Sequence, residues 1–202
     1  MTMQNKNISN LKNIAYVNQK GGAGKTTASV LTSLACNHLQ RGVEILDRDD
    51  DQQTATECWQ QIEKTPAPAK TEIRIIDTPP DLKKKGFQDG IKAAHLVIVV
   101  SSPSPADLWS SKRTVQEVRR LTKAPIYILF NKIRKGTIFS TPEHLEDMAK
   151  KMEAPRLDCS ISQSEVYQHS LVLGWSALHK KHKEEITRLV MEILTKVPSG
   201  SF

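Results

Sequence analysis

The stretch that most constrains this chain is Asn18-Gln19-Lys20-Gly21-Gly22-Ala23-Gly24-Lys25-Thr26-Thr27. It follows Ile14-Ala15-Tyr16-Val17, an apolar run of strand character, and precedes Ala28 to Ala35, where apolar residues recur at helical spacing. A strand, a glycine-rich turn and a helix in that order build an anion cradle. Glycines let backbone N–H groups converge, and the helix N-terminus adds partial positive charge. The backbone from Gly21 through Gly22, Ala23 and Gly24 to Thr27 lines this cradle. Lys25 is placed to reach terminal phosphates, and the Thr26 hydroxyl to meet Mg²⁺.

The general pattern G-x-x-x-x-G-K-[ST] is not met, because Gln19 stands where its first glycine belongs. What is met is K-G-G-x-G-K-T-T. In this wording the chain resembles the ParA/MinD family of deviant P-loop ATPases, whose mark is a second lysine early in the loop, here Lys20. The resemblance implies ATP and Mg²⁺ as cofactors. It also implies an ATP-dependent homodimer in which Lys20 crosses to the partner's phosphates, so that Lys20 and Lys25 both act on the transferred group.

Two acidic strand ends extend the reading. Ile73-Arg74-Ile75-Ile76-Asp77-Thr78-Pro79-Pro80 is an apolar strand delivering Asp77, a carboxylate for the Mg²⁺ shell beside Thr26. Asp-Thr-Pro-Pro is the family's usual wording there. Earlier, Val43-Glu44-Ile45-Leu46 runs into Asp47-Arg48-Asp49-Asp50-Asp51-Gln52-Gln53, where the family has D-x-D-P-Q. Asp50 replaces the proline and extra residues precede the glutamine. Alignment by the strand makes Asp47 the water-positioning carboxylate, and counting back from Gln53 makes it Asp49. Asp47 is preferred because α/β ligands bind at the carboxyl ends of strands.

Further along, His95 to Val100 reads as a buried parallel strand. Ser101 to Trp109 resembles the family's P-x-x-P-S-P-x-D-L-W segment at the dimer face, with Asp107 a possible acceptor for the N–H groups of the following helix. Pro125 to Phe130 is the next core strand, leading to Asn131-Lys132. In relatives an Asn here bonds the adenine. Leu157 to Tyr167 resembles the late segment I-x-Q-R-x-x-Y, but Ser164 takes the place of the Arg, so no role of that Arg carries over. Helices are expected over about 25–40 with Gly42 as the stop, 54–64, 106–122, from Thr141-Pro142-Glu143 onward, and 176–197. The expected fold is an α/β P-loop domain of the deviant type over residues 1–202, a mostly parallel twisted sheet flanked by helices. The ends, 1–10 and 198–202, are expected to be flexible. The short path from Asp49 to Asp77 implies one strand–helix unit fewer at the sheet edge than in many ParA relatives.

Charge bears on partners. Residues 111–202 carry 16 Lys/Arg against 10 Asp/Glu, whereas residues 1–110 carry 13 against 12. The basic half fits a polyanion, and Lys132, Arg134, Lys135, Lys180, Lys181 and Lys183 are its candidates for nonspecific DNA contact, chosen by charge. No apolar run reaches the ~20 residues that cross a bilayer, and the polar start lacks a signal-peptide pattern. A cytoplasmic, nucleoid-associated protein is expected. Cys36, Cys58 and Cys159 lack metal spacing and read as reduced thiols. The resemblance implies slow ATP hydrolysis stimulated by a ParB-like or adaptor partner, driving plasmid or chromosome partition. The same cycle with a protein cargo, a MinD-like membrane cycle and a hydrolysis-deficient binding module remain alternatives.

Overall fold

The computed structural model describes residues 11–62, 64, 66 and 70–198. The expectations for 1–10 and for 199–202 fall outside the described residues. Five strands, β1 (Lys12–Val17), β2 (Val43–Asp47), β3 (Ile73–Asp77), β4 (Leu96–Ser101) and β5 (Ile126–Phe130), form one parallel sheet in the order β2-β3-β1-β4-β5. Between the strands run α1 (Lys25–His38), α2 (Thr54–Gln61), α3 (Lys85–Ala93) and α4 (Pro105–Leu121), and after β5 come α5 (Pro142–Lys151), α6 (Glu165–Leu173) and α7 (Lys180–Lys196).

Near-continuous apolar strands are what a sheet covered on both faces requires. Alternate side chains divide accordingly. Ile14, Tyr16, Ile75 and Ile98 pack under α1 and α7, with Leu31, Ile186, Leu189 and Ile193. Ala15, Val17, Val97, Val99 and Ile128 face the other way, onto Phe87 of α3, Val115 and Val118 of α4 and Met148 of α5. A smaller cluster seats α2 through Ala55, with Ile62 just beyond its end, on Val30 and Leu34. Among the described residues the sheet ends on β2 at one side. The outer side of β5 is paired by the segment 155–163, through Leu157 N–H to Ile128 O at 2.9 Å and Ile161 N–H to Phe130 O at 2.9 Å.

Three boundaries differ from the sequence reading, the second helix stopping at Gln61 rather than 64, with Ile62 already extended. The first helix stops at His38, and the left-handed residue past its end is Gln40 (φ 57°), not Gly42. Gly42 is required for another reason: a Cβ there would sit 1.9 Å from the Lys70 carbonyl oxygen. The last helix begins at Lys180 because Trp175–Ala177 forms a separate 3-10 turn. The three cysteines are free thiols.

Candidate functional site

The order of strands puts β1 between β3 and β4, and the carboxyl end of β1 is where an α/β sheet opens a crevice. The loop 18–24 fills that position. Asn18, fully buried, fixes its entry: Nδ2 donates to Val100 O at 2.7 Å and to Ser111 Oγ at 3.1 Å, and Oδ1 accepts from Lys20 N–H at 2.9 Å. Gly22 and Gly24 take positive φ (74° and 95°), the conformations that turn the backbone N–H groups inward. At Gly24 even a methyl group is excluded, since it would lie 2.0 Å from Asn131 Nδ2.

Lys25 opens α1 and is buried. Burial pushes its ammonium below the ordinary lysine value, opposed by the attraction of Asp77 and Asp49. At the foot of the same turn, the Thr26 hydroxyl donates to Asp77 Oδ2 at 2.7 Å and the Ser29 hydroxyl to Oδ1 at 3.1 Å. Burial pushes the Asp77 carboxyl up to about 7, and the neighbouring Asp47 adds to the rise against the two hydroxyls and Lys25. A buried carboxylate next to a threonine hydroxyl and a phosphate cradle is short of a cation. Its donor set fits Mg²⁺, which binds through one or two protein oxygens together with phosphate oxygens and water.

The acidic loop separates into distinct roles. Asp47 spends both oxygens on backbone: Oδ1 accepts from Asp49 N–H at 2.9 Å, and Oδ2 from Ala55 N–H at 3.0 Å and Thr56 N–H at 3.3 Å. It anchors the start of α2, whose own N-cap Gln53 is left-handed and supplies no side-chain cap. Asp49, after Asp77, attracts the Lys25 ammonium. Asp47, preferred by strand alignment, thus braces the start of α2, while Asp49, the alternative given by counting from Gln53, lies close enough to Lys25 to attract it. Asp50 is exposed, and Asp51 pairs with Lys84 before α3.

Lys20 forms an ion pair with Asp107, which also accepts from Ser102 Oγ. Burial pushes the Asp107 carboxyl up, but the hydrogen bonds from Lys20 and Ser102 outweigh it and the net direction is down. In place of the helix N-terminal N–H groups that its sequence position suggests, Asp107 holds the second loop lysine.

Beside the cradle lies a cleft of about 220 Å³ lined by Thr27, Asn131, Lys132, Ser162, Gln163 and Tyr167, among others. The Asn131 amide donates to Ala23 O at 3.1 Å and its oxygen accepts from Lys132 N–H at 2.8 Å, so this side chain braces the loop. Lys132 donates to Gly22 O at 2.8 Å and Arg134 to Gln163 Oε1 at 2.6 Å. Lys132 thus braces the loop, and Arg134 holds a glutamine that lines the cleft, contacts that their selection by charge did not anticipate. Two of the remaining basic candidates line a separate groove. Lys180 and Lys183 line a groove of about 500 Å³ with Arg188 and a stacked His38–Trp175 pair, ring centroids 4.7 Å apart. Lys181 and Lys135 both act electrostatically on His182. Sequence reading missed Asn18 and Glu185. Asn18 directly precedes the loop and was readable there; Glu185 carries no local signal, being an acidic residue on an ordinary amphipathic helix.

A strand–loop–helix cradle backed by a threonine bonded to a buried aspartate, at the carboxyl edge of a parallel sheet, defines a P-loop nucleotide-binding fold. Residues 11–74 match a family model described as an AAA domain. The chain is 23% identical over 215 residues to the maintenance of carboxysome distribution protein A of Halothiobacillus neapolitanus, covering 90% of this chain and 95% of that one. Among solved structures, it resembles a variant of Cyanothece McdA in complex with ATP (TM-score 0.74, 16% identity, 96% of this chain and 100% of that chain). It also resembles a plasmid partition protein of Borrelia burgdorferi bound to AMPPNP (TM-score 0.71, 15% identity, 92% and 99%). The fold is that of ParA/MinD-type proteins, and together with the Lys20–Lys25 loop these findings are consistent with a ParA/MinD-family deviant P-loop ATPase.

Proposed function

We propose that this protein is a ParA-type ATPase that binds Mg²⁺–ATP in the 18–27 cradle, dimerises in that state and hydrolyses ATP slowly until a partner protein stimulates it. The observation that carries the reading is the Thr26–Asp77 pair, a buried carboxyl pushed up to about 7 at the foot of a phosphate cradle. Thr26 and Asp77 would hold Mg²⁺, which when bound would offset charge on the phosphates. Lys25 and the loop N–H groups offset the charge that develops on the transferred phosphoryl group. Asp49, free of the backbone bonds that occupy Asp47, orients the attacking water. Asn131 fixes the loop and stands at the nucleoside end. Lys20, parked on Asp107 in the single chain, is released to reach the partner's phosphates in the dimer.

For the work this cycle does, the reading is nonspecific attachment to duplex DNA and positioning of a cargo, with a ParB-like or adaptor protein setting turnover. Lys135, Lys180, Lys181 and Lys183, joined by Arg188, supply the bonds to phosphate. Plasmid or chromosome DNA is one cargo. Similarity to a carboxysome distribution protein favours a protein assembly as a second. No described helix is long and apolar enough to cross a membrane.

Binding to random-sequence duplex DNA with ATP, ADP or no nucleotide, at two salt concentrations, tests this. The expected result is ATP-dependent binding whose salt slope falls when Lys180, Lys181 and Lys183 are neutralised, by about 0.9 for each DNA phosphate that is no longer paired with a lysine. ATP binding without DNA binding in any state would overturn the DNA reading and direct the search to anionic liposomes.

A further inference from the structure

Helix α7 holds the segment beside β5 through two carboxylates, and one of them reaches the residues of the nucleotide cleft. The segment 155–163 runs beside β5 as an irregular outer strand, and Leu157, Ile161 and Gln163 direct their N–H groups to carbonyls of Ile128, Phe130 and Ile133 at 2.9 Å each. The N–H groups of Asp158, Cys159 and Ser162 do not pair with β5. Glu192 takes the first two, Oε1 accepting from Asp158 at 2.7 Å and Oε2 from Cys159 at 2.8 Å. Glu185 takes the third at 2.7 Å. Seven residues apart, the two carboxylates lie on one face of α7, two turns from each other.

Glu185 does more than close that edge. Its Oε1 also accepts from Ser162 Oγ at 3.0 Å and from the Tyr167 hydroxyl at 2.6 Å, so one oxygen gathers three donors from two elements. Ser162 and Tyr167 both line the cleft beside the P-loop, whereas Asp158 and Cys159 do not. Burial, and then the bond to Glu185, push the Tyr167 hydroxyl above its ordinary value, which keeps it a donor across the working pH range.

We propose that Glu185 is a positioning residue for the nucleoside of the bound nucleotide. It sets the wall made by Ser162 and Tyr167 in one register, while Glu192 fastens the same segment without touching the cleft. The proposal rests on the reading of this site as a nucleotide site, and the test separates the two. Calorimetric titration of the full chain with Mg²⁺–ADP and with Mg²⁺–tripolyphosphate compares a ligand that fills cradle and cleft with one that fills the cradle alone.

Glu185→Ala is expected to weaken ADP binding about tenfold, the scale of losing a half-buried acceptor of several donors, and to leave tripolyphosphate binding within about twofold. Glu185→Gln keeps an acceptor oxygen at the same place and is expected to restore ADP affinity to within about threefold. Glu192→Ala is expected to lower the Tm as Glu185→Ala does but to retain ADP affinity. Equal loss of ADP affinity in the two alanine variants, equal loss of both ligands in Glu185→Ala, or no loss in it overturns the proposal. Wild-type protein that binds tripolyphosphate but not ADP overturns it while sparing the phosphate cradle. Binding of neither ligand by the wild type refutes the nucleotide reading itself, and the positioning role with it.

Discussion

Replacing Asp77 with Asn separates stability from function, because this carboxyl is penalised in the protein alone and needed when a cation arrives. Burial raises it from 3.8 to about 7 despite hydrogen bonds from Thr26 and Ser29. A carboxyl raised in the native state holds its proton to higher pH there than in the unfolded chain. Its contribution to stability is therefore intact below pH 3.8 and is lost progressively as pH rises to about 7. At 1.36 kcal/mol per pKa unit, the nucleotide-free protein carries a penalty of about 4 kcal/mol above that window. Asp77→Asn removes the charge and keeps one acceptor, so part of that penalty returns as stability. With about 2–4 °C per kcal/mol for a chain of this length, the variant is expected to melt roughly 5–10 °C above wild type at pH 8. At pH 4 the two should melt together. Addition of Mg²⁺–ATP should reverse the order, because a bound cation favours the ionised carboxylate and the variant cannot supply one. Thermal melts from pH 4 to 8, with and without Mg²⁺–ATP, read this directly. A difference in Tm that does not change with pH, or a variant less stable than wild type at pH 8 without ligand, would refute the reasoning.

Asp47 and Asp49 should part in mutagenesis: Asp47→Ala costs about 1–2 kcal/mol by uncapping α2, whereas Asp49→Asn lowers kcat about 10²-fold or more with an unchanged melt. Urea melts beside steady-state turnover check both halves. Lys20→Ala removes an ion pair whose lysine side chain is 44% exposed, so its stability cost should stay below about 1 kcal/mol. It should abolish ATP-dependent dimerisation by light scattering. Gly42→Ala forces a methyl group to within 1.9 Å of the Lys70 carbonyl, an overpacking that should cost about 1–3 kcal/mol in the same urea melts.

Most of the architecture was legible because its signals are local. Buried parallel strands appear as unbroken apolar runs, as in Leu96 to Val100, and the cradle as glycines between a strand and a helix. Asp77 was legible for the same reason, sitting at the end of such a run. What was not legible depends on long-range placement. The Asp47 carboxylate reaches forward to Ala55 and Thr56, and nothing in the run of four acids around it distinguishes that task from the one left to Asp49. Lys132 read as a surface charge, but the turn at its left-handed φ of 59° carries its ammonium to the Gly22 carbonyl, 110 positions earlier. Gly42 read as a helix stop, yet its lack of a side chain serves the crossing of two strand entries. The Glu185 network joins α7 to the cleft across 23 positions from Ser162, beyond the reach of any pattern along the chain.

Hydrolysis of ATP with Mg²⁺ in the cradle of Lys20 to Thr27 is read by phosphate release from wild-type protein, Lys25→Ala and Asp77→Asn, with Mg²⁺ and with EDTA. Wild type should release phosphate slowly and only with Mg²⁺, and both substitutions and EDTA should reduce release to background. Equal release by wild type and Lys25→Ala, or none from a folded wild type that still binds ATP, would contradict hydrolysis in this cradle.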